Sequence, residues 1–166
     1  MRAGIALGSN LGDRLANLKA ARARLSELPR VESPILASAV YESDPVDCEV
    51  SAGKFFNAVV EIGYAGEAID LLRALRRIEA AGGRSPTHLR NTSRTVDLDL
   101  LYFGQVILST TELELPHPRM HTRRFVLEPL AEIRLDLILP LQRESVAALL
   151  KRLRDRSPLV LVASEW

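Results

Sequence analysis

Arg94-Thr95-Val96-Asp97-Leu98-Asp99-Leu100-Leu101-Tyr102-Phe103 is an apolar, strand-like run that carries carboxylates at two alternate positions. In a strand, residues i and i+2 share a face and stand ~7 Å apart along the chain. Paired anions there are costly unless something compensates them. A hard cation such as Mg²⁺ takes oxygen ligands and leans on one or two carboxylates plus substrate phosphates. Arginines crowd the neighbourhood: Arg84, Arg90 and Arg94 precede the pair, and Arg119, Arg123 and Arg124 follow it. Carboxylates for a metal beside arginines for phosphate point to chemistry on a metal–nucleotide complex. A plainer origin fits the same residues, because Asp-x-Asp is short and common. It also marks a solvated strand face or carboxylates paired with neighbouring arginines.

On either side of this run the chain reads as strands and helices in a definite order. Ile5–Leu7 is a short strand, and Gly8-Ser9-Asn10-Leu11-Gly12-Asp13 is turn chemistry with Asp13 as a helix N-cap. Leu15, Leu18, Ala21, Leu25 and Leu28 recur at helical spacing, and Pro29 ends that helix. Ile35–Tyr41 reads as a second strand, followed by a long loop over 42–53. Phe55–Tyr64 alternates, with Phe56, Ala58, Val60 and Ile62 on one face and Phe55, Asn57, Val59 and Glu61 on the other. A helix over 67–81 places Ile69, Leu72, Leu75 and Ile78 inward and stops at Gly82-Gly83. The acidic-doublet strand follows, then a Gly104-Gln105 turn and a short partner strand, Val106–Leu108. Phe125–Ile133 and Ser145–Arg154 read as helices, and Pro158–Val162 as a last strand.

The order is β-α-β-β-α-β with additions. It is an α+β, ferredoxin-like pattern: an antiparallel sheet with helices on one face, plus C-terminal helices and a short extra hairpin. The alternation predicts that Phe56, Ala58, Val60, Ile62, Val96, Leu98, Leu100 and Tyr102 face the helices. Phe55, Asn57, Asp97 and Asp99 would then share the opposite, open face: a ring, an amide and two carboxylates on one platform. A flat heterocycle can stack on such a ring while the amide offers a donor and an acceptor to its edge. Clustered arginines suit bidentate phosphate contacts. His117, held between Pro116 and Pro118, supplies a donor on a stiff backbone. Each of these residues, taken singly, is equally at home in packing or on a charged surface.

Composition sets the bounds. At 166 residues, 47% hydrophobic and 26% charged, the chain is expected to form one domain, 1–166, with a real core. A net charge of +1 argues against a general nucleic-acid binder. The single cysteine, Cys48, allows no intramolecular disulfide, so a reduced cytoplasmic setting is expected. No run approaches the ~20 apolar residues of a membrane span. Three histidines and one cysteine, widely spaced, make no zinc pattern. Gly8–Gly12 lacks the Gly-Lys-Ser/Thr ending of a P-loop, and no Gly-x-Ser-x-Gly elbow occurs.

Together these segments resemble the 6-hydroxymethyl-7,8-dihydropterin pyrophosphokinase family of folate biosynthesis, over nearly the whole chain. The resemblance rests on residues 6–13, Tyr41-Glu42-Ser43-Asp44-Pro45, Phe55-Phe56-Asn57-Ala58-Val59-Val60, and Ile78-Glu79 with Gly83-Arg84. It continues through Arg94-Thr95-Val96-Asp97-Leu98-Asp99-Leu100-Leu101, Leu115-Pro116-His117-Pro118 and residues 123–130. It implies a transferase that moves pyrophosphate from ATP to the pterin hydroxymethyl group and releases AMP. Asp97 and Asp99 would hold two Mg²⁺ ions. Phe55 and Phe125 would sandwich the pterin, and Asn57, helped by Ser43 and by backbone near Val46, would bond its edge. Arg84 and Arg94 would bind phosphates and stabilise the transition state. Glu79, Arg90, Leu100, His117 and Arg123 would lie on the nucleotide, with Glu79 toward the ribose. The implied partners are ATP and the dihydropterin, with no nucleic acid and no membrane. The implied working unit is a monofunctional monomer.

This chain departs from the family pattern at Asn91-Thr92-Ser93, where many members carry Trp-Gly-Pro, and at Pro86, Glu112, Glu114 and Pro118. Two other functions compete on the residues alone. An RNA-binding module would use the same open face to stack bases, but it would lack the aromatic-rich signature and would meet two carboxylates. A Mg²⁺-dependent nuclease or sugar-nucleotide transferase would also use Asp-x-Asp.

Overall fold

Strand β4 (Phe55–Tyr64), ten residues of alternating apolar character, is the middle lane of the sheet. The computed structural model describes residues 1–45, 53–82 and 95–166. β1 (Arg2–Ser9) pairs with β4 on one side, and β5 (Asp97–Phe103) pairs with β1 beyond it. On the other side of β4 lie β2 (Val31–Ala37) along its second half and β3 (Val40–Ser43) along its start. β8 (Leu159–Ala163) adds an edge lane on β3. The sheet order is β5-β1-β4-β3-β8, and the pairs are antiparallel. The single second strand expected over 35–41 is therefore two segments in one lane.

Helices α1 (Arg14–Ser26) and α2 (Ala68–Ala81) cover one face. Asp13 caps α1 by accepting from the Ala16 N–H at 3.0 Å. The leucine spacing buries Leu18, Ala21 and Leu25, which pack with Ile5, Val60, Ile62, Leu71, Leu75, Leu98 and Leu100. The opposite face is less open than the alternation suggests. Helices α3 (Arg124–Arg134) and α4 (Val146–Arg152) cover part of it, around Val59, Leu101, Tyr102, Met120, Leu127 and Leu130. Apolar side chains on that face need cover, and the C-terminal helices supply it. Phe55, Asp97 and Asp99 stay half-exposed.

Two further expectations differ from the structure. Tyr102 does not face α1 and α2. The β1–β5 register jumps from Gly4↔Tyr102 to Ile5↔Leu100, which makes Leu101 an extra residue. Such a bulge reverses the alternation, so Leu101 and Tyr102 both turn toward α3 while Phe103 returns to the first core. The Tyr102 ring lies flat against Gly4. A Cβ there would sit 2.7 Å from Tyr102 Cζ and nearer still to Cε1. Gly4→Ala is expected to cost about 3 kcal/mol through this overlap, read from urea unfolding. A near-neutral result would mean that the ring swings aside freely.

Second, the strand after Gly104 does not pair with β5. Instead β6 (Leu108–Ser109) and β7 (Glu114–Leu115) form a separate two-stranded sheet. The outer edge of β5 is satisfied otherwise. The Leu98 N–H donates to Glu79 Oε1 at 2.9 Å, and the Leu101 carbonyl accepts from the His117 N–H at 2.8 Å.

Candidate active site

Gly8 is the floor of the site. It stands opposite Asn57 on β4 and opposite Asp97 on β5, so Asn57, Gly8 and Asp97 form one row across three strands. The next row is Val59, Ala6 and Asp99. A Cβ on Gly8 would meet Asn57 Oδ1 at 3.7 Å, Phe55 Cδ1 at 3.8 Å and Asp97 Cβ at 4.0 Å. Those three side chains therefore surround a small concavity that a missing side chain keeps open. Leu98 and Leu100 pack under α1 and α2, so Asp97 and Asp99, alternating with them, share the Gly8 side.

Asn57 is 6% exposed, and its Nδ2 donates to Ser43 Oγ at 2.9 Å. This bond fixes the amide and turns Oδ1 toward the concavity. Ser43 is itself placed by the pairing of β3 with β4, directly opposite Phe55. At the entrance to α1, the Arg14 guanidinium stacks 3.7 Å from the Phe56 ring centre and donates to Glu42 at 3.0 Å and to the Lys54 carbonyl at 2.8 Å. It ties the start of α1 to β3 and to the residues just before β4.

A basic flank lies beside β5. A short 3₁₀ turn (Met120–Thr122) leads into α3. The His117 Nδ1 accepts from the Arg119 N–H at 3.2 Å, which leaves Nε2 to carry the proton of the neutral ring. Burial, followed by the nearby Arg123 and Arg119 charges, holds the His117 pKa below the usual histidine range. Above that lowered value the ring is neutral and offers one N–H. Arg123 sits 5.4 Å from the Phe125 ring centre, within cation–π range. Phe125, in the first turn of α3, packs against the cluster on the same sheet face as Asn57.

Other sequence-predicted site residues are placed differently. Glu79 is 4% exposed, and its carboxylate braces the backbone of β5. The Leu100 side chain is buried in the core under α1 and α2, so only its backbone is available to a ligand. Glu112 engages Arg76 at 3.1 Å and Arg73 at 3.6 Å on the surface. Val46, Arg84, Arg90 and Arg94, with Pro86 and Asn91-Thr92-Ser93, lie outside the described residues. Sequence reasoning passed over Gly8 as turn chemistry, and over Arg14. The one available signal for Gly8 was its place directly beneath an aromatic-amide-carboxylate set once the strands are aligned.

Among the described residues no group of three or more His, Cys, Asp and Glu forms a complete metal cage. A pair of half-exposed carboxylates fits a Mg²⁺ that takes its remaining ligands from phosphate and water.

The family model for 7,8-dihydro-6-hydroxymethylpterin-pyrophosphokinase (HPPK) matches residues 4–135. A 2-amino-4-hydroxy-6-hydroxymethyldihydropteridine pyrophosphokinase of Bacillus subtilis is 44% identical over 129 residues, 78% of this chain and 75% of the relative. The protein of the same name from Haemophilus influenzae is 37% identical over 158 residues, 95% of this chain and 96% of the relative. Among solved structures, wild-type Plasmodium falciparum HPPK-DHPS with pteroate matches with a TM-score of 0.67 at 14% identity, over 91% of this chain. The matched region is 42% of that longer chain, and the likeness carries the fold alone.

Proposed function

The chain belongs to the 7,8-dihydro-6-hydroxymethylpterin-pyrophosphokinase family, and we propose that it transfers the pyrophosphoryl group of ATP to 6-hydroxymethyl-7,8-dihydropterin. The observation that carries this reading is the gathering of Phe55, Asn57 and Asp97 around Gly8, with Asp99 one row away. The pterin stacks on Phe55 and is closed over by Phe125. Asn57, oriented by Ser43, presents its amide to the pterin edge, with backbone near Val46 completing the contact. The substrate hydroxyl oxygen then bonds to the β-phosphorus, and the bond from that phosphorus to the α–β bridging oxygen breaks. AMP leaves with the bridging oxygen, and the hydroxyl proton passes to solvent.

Asp97 and Asp99 would hold two Mg²⁺ ions. When bound, these ions neutralise phosphate charge and favour the charge that develops on the leaving AMP. Arg123 and the neutral His117 donate to phosphate oxygens from the flank of β5, and Arg84, Arg90 and Arg94 supply further cationic contacts. The reaction needs alignment and charge complementarity more than covalent help from the protein. We assign Glu79 and Leu100 a supporting part at the nucleotide, the first by fixing the β5 backbone and the second through its main chain. Phe55, Asn57, Asp97 and Asp99 gather on one sheet, and we propose 1–166 as one catalytic domain that works as a monomer. No helix among the described residues is long and apolar enough to cross a membrane.

Incubation with ATP, Mg²⁺ and the hydroxymethyldihydropterin, followed by nucleotide chromatography, tests the reading. AMP in step with pterin consumption is expected, and ADP as the sole nucleotide product would overturn it. Gly8→Val provides a sharper local check. Valine suits a strand, and its Cβ makes only ordinary contacts, but its methyl groups enter the concavity between Asn57 and Asp97. Pterin affinity by calorimetry is expected to fall ~10²-fold, the effect of about 3 kcal/mol of steric overlap, with the fold kept. Unchanged affinity would place the pterin elsewhere.

A further inference from the structure

Helix α3 begins without a side-chain cap of its own, since Arg123 at its N-cap makes no such bond. The Arg124 N–H donates instead to Asp155 Oδ2 at 3.0 Å, from a residue 31 positions away. The other oxygen of that carboxylate accepts from the Ser157 N–H at 2.9 Å. The Arg124 guanidinium completes the grip, donating to the Ser157 carbonyl at 3.1 Å and to Glu128 at 2.6 Å. Arg124 is thus held through backbone and side chain by the turn at 155–157, and its two chain neighbours are Arg123 and Phe125.

That turn runs straight into β8, which pairs with β3 in the register Ser43↔Leu159. Ser43 in turn accepts from Asn57. A continuous series of bonds therefore joins the first turn of α3, through Asp155, β8 and Ser43, to the amide on the sheet. The helix has reason to need this anchor. Pro129 lies inside α3 and has no N–H to give to the Phe125 carbonyl four residues earlier, so the first turn lacks one internal bond.

We infer that Asp155 is a positioning residue for the reaction: it holds the first turn of α3, and with it Phe125 and Arg123, at the spacing from Asn57 that the two substrates require. The inference rests on the pterin and nucleotide roles proposed above. Burial alone would raise the Asp155 pKa, but hydrogen bonds from the Ser157 side chain and from the Arg124 and Ser157 amides, with the Arg124 charge, outweigh it and hold the carboxyl below its ordinary value. A depressed pKa means that the anchor's contribution is present above the unfolded carboxylate range and is lost only as pH falls through the lowered folded value. The anchor is therefore charged at neutral pH.

The test compares Asp155→Ala and Asp155→Asn in the full chain, well below the thermal midpoint of each. For Asp155→Ala, KM for the pterin is expected to rise ~10-fold and kcat to fall ~10-fold through misplacement. Asp155→Asn keeps one oxygen for the Arg124 N–H but gives up the acceptor for the Ser157 N–H and the charge, so it is expected to recover only part of the loss, to within ~5-fold of wild type. Hydrogen exchange of the amides over 124–128 should quicken ~10-fold in Asp155→Ala and stay unchanged in α1 and α2, as a local opening requires. A purely structural role would lower the thermal midpoint while leaving KM of the folded enzyme alone, and that result overturns the inference. Unchanged exchange over 124–128 also overturns it. A wild-type chain that makes no AMP overturns the functional reading instead, and the exchange comparison still decides whether Asp155 holds the turn.

Discussion

Asp97→Ala and Asp99→Ala are each expected to lower turnover at least ~10³-fold, the loss of about 4 kcal/mol of transition-state stabilisation. The two carboxylates alternate with Leu98 and Leu100, whose side chains are fixed in the core, so their direction toward Gly8 is set by the pleat. Removing one leaves Leu98 and Leu100 packed, so the fold is expected to be kept. AMP formation at saturating Mg²⁺, with circular dichroism alongside, makes the check. Turnover within about threefold of wild type, on the scale where one decade is 1.36 kcal/mol, would remove the metal role from that residue.

A large effect on stability is also expected at Glu61. This carboxylate is 0% exposed and gathers the Arg2 guanidinium at 2.7 Å, the Arg134 guanidinium at 3.2 Å and the Tyr102 hydroxyl, which donates to it. Burial, followed by the bond to Glu61, pushes the Tyr102 hydroxyl pKa upward, so it remains a donor throughout the working pH range. Glu61→Ala would strand that buried hydroxyl, loosen both arginines and free the C-terminal end of α3. A loss of about 3 kcal/mol is expected, equivalent to a fall of roughly 10 °C in Tm for a chain of this size. Glu61→Gln keeps an acceptor for Tyr102 and should cost less. A Glu61→Ala Tm within about 2 °C of wild type, under 1 kcal/mol on the same scale, would mean that the network adds little beyond packing.

The lanes of the sheet were legible because their signals are local. Phe55–Tyr64 alternates, Asp13 precedes a leucine-spaced helix, and the carboxylates at 97 and 99 keep the pleat. The face of Tyr102 was not, because a bulge at Leu101 leaves no mark in a run that is apolar on both sides. The pairing of β6 was hidden for a related reason. A turn signal at Gly104 gives the reversal, but whether the next strand joins β5 depends on Glu79 and His117 already occupying that edge. The Phe55, Asn57, Asp97 and Asp99 platform followed from alternation alone. Gly8 as its floor needed the cross-strand register, and Asp155 needed contacts 31 residues apart in sequence.

Both substrates are expected to meet over Gly8, between Phe55 and the acidic doublet. A crystal of the chain with Mn²⁺, a non-hydrolysable ATP analogue and the hydroxymethyldihydropterin, measured at the manganese edge, addresses it directly. Anomalous peaks between the Asp97 and Asp99 carboxylates, with the pterin ring between Phe55 and Phe125, are the predicted result. Manganese bound away from both aspartates, or a pterin seated off the Gly8 concavity, would contradict it.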